Sequence, residues 1–78
     1  MAKNYFIFSD NPNHAAIYTK GLLLIKPRSG GWISIEFIYS ESNTYNWYFD
    51  TEKEMYEAYA KVKKSLPAGV NIDDHITL

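Results

Sequence analysis

Ser9, Asp10 and His14 bring a hydroxyl, a carboxylate and an imidazole close together near the start of the chain. Those three groups are the ingredients of nucleophilic hydrolysis, in which an oriented imidazole takes the hydroxyl proton. That chemistry needs a nucleophile held on a sharp elbow or at strand or helix spacing, and Ser9-Asp10-Asn11-Pro12-Asn13 has neither. Its residues bond their own backbone and fix φ, so the segment reads as a turn. Asp73-Asp74-His75 offers oxygen and nitrogen ligands, but consecutive residues of an extended segment point to opposite sides. A metal there would need further ligands from elsewhere. Gly30-Gly31 lacks the Lys and Ser/Thr of a phosphate-binding loop and reads as a reversal. Cysteine is absent, which excludes disulfides, thiolate zinc sites, iron–sulfur ligation and thiol nucleophiles together. The expectation is a non-enzymatic protein without cofactor or metal.

Recognition chemistry is better represented. Aromatic residues make up 17% of the 78 positions, as seven Tyr, four Phe and two Trp. Much of this excess supplies core volume in a small domain without disulfides. Trp32, Tyr48 and Tyr18 nevertheless fall on the polar-alternating side of their segments, with Lys20, Lys26 and Arg28 nearby. Such a set suits a protein-binding surface, because Trp and Tyr dominate interface energetics. It also suits base stacking with phosphate contact on single-stranded nucleic acid.

Charge separates these two readings. The formal net charge is −1. Through Ile35 four basic residues (Lys3, Lys20, Lys26, Arg28) meet one acid, Asp10, whereas from Glu36 through Ala60 only Lys53 answers six acids. So few positive charges make nucleic-acid binding weak at physiological salt. A protein partner, or a second copy of the chain, is the leading expectation; single-stranded nucleic acid is the alternative.

Turn signals divide the chain that must position these residues. Extended, aromatic-rich segments are expected at about 4–9, 15–26, 31–39 and 44–50, with a helix at about 51–66 and a tail at 70–78, all in one domain. Connections this short favour an antiparallel meander of four or five strands. Gly21 either bulges a single long strand or turns it into two shorter ones. Thr51-Glu52-Lys53-Glu54 has the form of a capping box, and Met55, Ala58, Tyr59, Val62 and Leu66 form one apolar stripe. The tail, with Val70, Ile72, Ile76 and Leu78 on one parity, is expected as a short extra strand or an extended crossing.

The fold class is therefore α+β, an antiparallel sheet with one helix on one face. Ile33, Ile35, Phe37, Tyr39, Tyr45, Trp47 and Phe49 are expected under the helix, with Ile17, Thr19, Leu23 and Ile25. The other face then carries Tyr18, Lys20, Leu22, Leu24, Lys26, Trp32, Ile38 and Tyr48, too apolar a set to meet only water. A second copy, the tail, closure of the sheet or a partner molecule would cover it.

This meander-then-helix order is similar to that of Whirly-type single-strand-binding domains and of several small phage-encoded inhibitors, including some anti-CRISPRs. The similarity spans the chain as an order of elements, without a shared motif, and carries no residue assignments. It implies a binding role, either on single strands or as an anti-defence inhibitor of another protein. The short apolar run Tyr5-Phe6-Ile7-Phe8 ends too soon for a signal peptide, so a cytoplasmic protein that avoids membranes is expected.

Overall fold

Gly21 decides how the second extended segment folds. Its φ is +84°, in the region that L residues enter only at a cost, and the Leu22 N–H donates to the Thr19 carbonyl at 3.1 Å. The computed structural model, which describes residues 6–40 and 42–73, thus has a tight turn here. It separates β2 (Ile17–Tyr18) from β3 (Leu22–Arg28). β1 (Phe6–Ile7) pairs antiparallel with β2 as a small two-stranded ladder of its own. β3, β4 (Ile33–Tyr39) and β5 (Thr44–Phe49) form the antiparallel meander, and α1 (Glu52–Ser65) packs on it.

The α+β class and the helix on the sheet are as expected. Of the two readings of 15–26, the Gly21 turn holds and gives two strands; the expected membership of the sheet changes because β1 and β2 pair outside the meander. β6 (Asn71–Ile72) completes the larger sheet instead, lying parallel to β3 in the order β5-β4-β3-β6. Asp73 N–H donates to Ile25 O, and the Tyr59 hydroxyl donates to Asp73 O, both at 3.0 Å. The first residues of the expected tail strand are therefore seen, and 74–78 lie outside the described residues.

A second irregularity shifts the faces of β3. Leu22 pairs with Tyr39 but Leu24 with Ile38, so Leu23 is an extra residue on that strand. Leu22 consequently turns into the core at 5% exposure, and Leu23 turns out at 47%. This reverses the expectation for both, because one inserted residue inverts the side-chain parity. Beyond the bulge the alternation resumes, with Ile25 and Pro27 inward and Lys26 and Arg28 on the other side. Pro27 is tolerated because β6 pairs only with Leu24 and Ile25, leaving no ladder bond for its missing N–H to break.

Met55, Tyr59 and Val62 bury the helix stripe against Ile25, Ile35, Phe37 and Trp47, with Ile7 and Ile17 from the small ladder. Tyr45, expected in this core, sits at the sheet edge and is more than half exposed. Thr51 caps the helix, accepting from the Glu54 N–H at 3.2 Å. Of the expected capping box, this is the half seen among the described residues. Leu66 is extended before Pro67, which ends the helix.

The small ladder is tied to the meander by Tyr39, whose hydroxyl donates to the Tyr18 carbonyl. Burial, then the neighbouring Tyr45, pushes the Tyr39 pKa up. The folded state thus favours the neutral phenol. The stabilisation is full below the ordinary tyrosine value of about 10 and is lost as pH rises through the higher folded value. Tyr39→Phe is expected to cost about 0.5–1.5 kcal/mol at neutral pH and to flatten part of the loss of stability above about pH 10. Urea titrations at neutral and alkaline pH measure both.

Candidate binding surface

The face of the sheet opposite α1 is laid out in three cross-strand rows. Leu24, Ile38 and Thr44 form the first, Lys26, Glu36 and Asn46 the second, and Arg28, Ser34 and Tyr48 the third. No described residue lies across them. Trp32, just before β4, stands at the end of the third row and is 82% exposed. Its ring meets Tyr48 edge-on at 6.0 Å and 72°. Ser34 lies buried between its larger neighbours, at the bottom of a hollow of about 360 Å³ bounded by Arg28, Gly30, Trp32 and Tyr48. Gly30, with φ +89°, makes the turn that carries Trp32. The Ser29 hydroxyl donates to the Glu52 carboxylate and anchors that turn to the start of α1.

Four of the six expected site residues therefore share one surface: Trp32, Tyr48, Lys26 and Arg28. Tyr18 and Lys20 do not join them. The Gly21 turn carries both onto the β1–β2 ladder and its exit, where Tyr18 stacks obliquely on Phe6 at 5.1 Å. Phe6 and Phe8 are 47% and 75% exposed, an aromatic pair that sequence reading did not single out. Their alternation about the buried Ile7 is the signal that would have found them. Lys20 instead borders a second hollow of about 680 Å³, with Tyr18, Tyr39 and Tyr45.

The cations of the open face are partly answered within the sheet. Arg28 Nη1 lies 3.7 Å from Glu36 Oε2, and Glu36 is the cross-strand neighbour of Lys26.

His14 has a different role from the one its neighbours in sequence suggest. Its Nε2 lies 2.8 Å from the Tyr48 carbonyl, which can only accept, so Nε2 carries the proton. Nδ1 then accepts from the Ser9 hydroxyl at 2.7 Å, and Ser9 Oγ in turn accepts the Asn11 N–H at 3.0 Å. The ring stacks on Trp47 at 5.3 Å and 5° and meets Phe49 edge-on at 4.9 Å. Both nitrogens and the ring itself are engaged in fastening the 9–14 loop to β5. His14→Ala is expected to cost about 1–3 kcal/mol through two lost hydrogen bonds and the ring contacts. Denaturation together with faster amide exchange confined to that loop would show it.

The same loop forms one wall of a groove of about 670 Å³, with β5 at its floor and α1 opposite. Trp47 and Phe49 line the floor, Glu54 and Glu57 the helical wall, and Asp50 one end. Lys61 reaches across to Asp10, and that hydrogen bond, then the Asp10 charge, holds its pKa above the ordinary lysine value, with a smaller contribution from Glu57.

No cluster of three or more His, Cys, Asp or Glu able to hold a metal occurs among the described residues, and His75 lies outside them. No helix among them is long and apolar enough to cross a membrane. No protein-family model, curated protein sequence or solved structure matches the chain.

Proposed function

We infer that the chain is a small cytoplasmic binding module that docks another protein on the open face of its sheet, as an accessory, adaptor or inhibitor. The observation that carries this reading is Trp32, 82% exposed and propped against Tyr48 on a face that no described residue covers. A tryptophan in that position leaves a large apolar area in water, and a partner that removes it gains accordingly. Leu24 and Ile38 add a second apolar patch beyond the Lys26–Glu36–Asn46 row, while Lys26 and Arg28 on β3 supply polar groups at the side of the face. An enzymatic role has no comparable support, because the one hydroxyl–imidazole pair among the described residues is spent on a loop contact.

The Arg28–Glu36 pair bears on the choice between partners. A carboxylate beside Arg28 weakens attraction for phosphates but leaves apolar docking intact. Single-stranded nucleic acid remains the second reading, favoured by the hollow where Arg28 meets Trp32 and Tyr48. The decisive comparison is capture by the wild type against Trp32→Ala, with light scattering of the purified chain to reveal self-association. A protein lost on Trp32→Ala supports the reading. Tight single-strand binding that falls steeply with salt and with Arg28→Ala would replace it.

A further inference from the structure

The outer edge of β5 is taken by His14 at Tyr48 and is free of any described strand at Thr44 and Asn46. Tyr48 O points away from β4, because it accepts from His14. Tyr39 N–H bonds Asn43 O, so the odd-numbered residues of β5 face β4 and the even-numbered ones face outward. The N–H and C=O groups of Thr44 and Asn46 thus have no strand beside them, and β5 ends the sheet order. The strand Thr44–Phe49 contains no charge and no proline, the usual devices against strand addition.

Alongside this edge runs the groove floored by Trp47 and Phe49. Asp10 there is answered by Lys61, which also feels the charge of Glu57, while Asp50 and Glu54 make no ion pair with any described residue. We propose that the free edge of β5 and its carboxylate-lined groove bind an extended basic segment of a partner protein by strand addition. Backbone bonds to Thr44 and Asn46 fix the segment. Its alternate side chains on the groove side are lysines or arginines, placed beside Asp50, Glu54 and Glu57. The side chains between them lie next to Asn46 and Tyr48 on the open face.

A second copy fits this edge poorly. Its own β5 carries no cation to answer the carboxylates, and pairing two edges brings both acidic grooves together. The site is separate from the Trp32 surface and does not rest on the reading of that surface.

Calorimetry with a short acetylated peptide alternating valine with lysine and arginine, at low salt, tests the proposal. Binding is expected, weaker by about tenfold or more for a glutamate counterpart and for a peptide N-methylated on alternate amides. Glu54→Gln/Glu57→Gln, both at exposed positions, should weaken it roughly three- to tenfold with unchanged circular dichroism, while Trp32→Ala leaves it intact. Absence of binding overturns the proposal, as does equal affinity for the glutamate or N-methylated peptide or for the Gln variant. A dimer in sedimentation that Asn46→Pro dissociates would assign the edge to a second copy and overturn it as well.

Discussion

Trp47→Ala is expected to remove about 3–5 kcal/mol of stability. Trp47 is 2% exposed and packs edge-on against Phe37 at 4.8 Å, so its loss opens a cavity in the core between sheet and helix. It also takes the stacking platform from His14, and with it the fastening of the 9–14 loop. Its Nε1 donates to Ala15 O at 2.7 Å, and removing that donor strands a carbonyl. A domain of this size has roughly 4–12 kcal/mol in total, so the variant should be largely unfolded at body temperature. Trp47→Phe keeps a ring against Phe37 and loses the donor, for which about 1–3 kcal/mol is expected. Urea midpoints for the two variants order these effects; a Trp47→Ala loss below about 1 kcal/mol would mean that this packing is not what holds the domain together.

Trp32→Ala should behave in the opposite way. At 82% exposure its ring contributes little to folding, and a stability change within about 0.5 kcal/mol is expected. The loss appears in partner binding, by about 2 kcal/mol or more, close to a thirtyfold fall in affinity. Tyr48→Ala should show a smaller loss of the same kind, since Tyr48 supports the indole and is only half exposed. Lys26→Ala should slow association and reduce its salt dependence rather than raise the dissociation rate, as rim charges do. Partner affinity unchanged by both aromatic substitutions would end the docking reading of this face. The contrast between the two tryptophans makes the test clean, because one reports folding and the other recognition.

What distinguishes those two residues was legible in part from alternation. Ile35, Phe37 and Trp47 lie inward as their parity implies, while Trp32 and Tyr48 stay outside. The helix was legible almost to the residue, because Thr51, the Met55-Tyr59-Val62 stripe and Pro67 act over one or two turns of their own chain. Second-segment geometry was not. A glycine is compatible with either a bulge or a turn, and a bulged leucine carries no chemical label, so the faces of Leu22 and Leu23 were exchanged. The grouping of Tyr18 and Lys20 with Lys26 failed for the same reason.

Local chemistry in the sequence by itself determined an α+β chain with a two-sided aromatic sheet, one capped helix and no thiol chemistry. It placed Trp32, Tyr48 and Lys26 on the uncovered side, since period-two alternation depends only on the chain's own pleat. Tertiary structure alone decided that β1 and β2 leave the meander, that β6 runs parallel to β3, and that His14 binds the carbonyl of Tyr48. Those outcomes depend on contacts between residues far apart in the chain, where backbone groups choose among many equivalent partners. No local pattern can rank such partners, and only the packing that closes around them does.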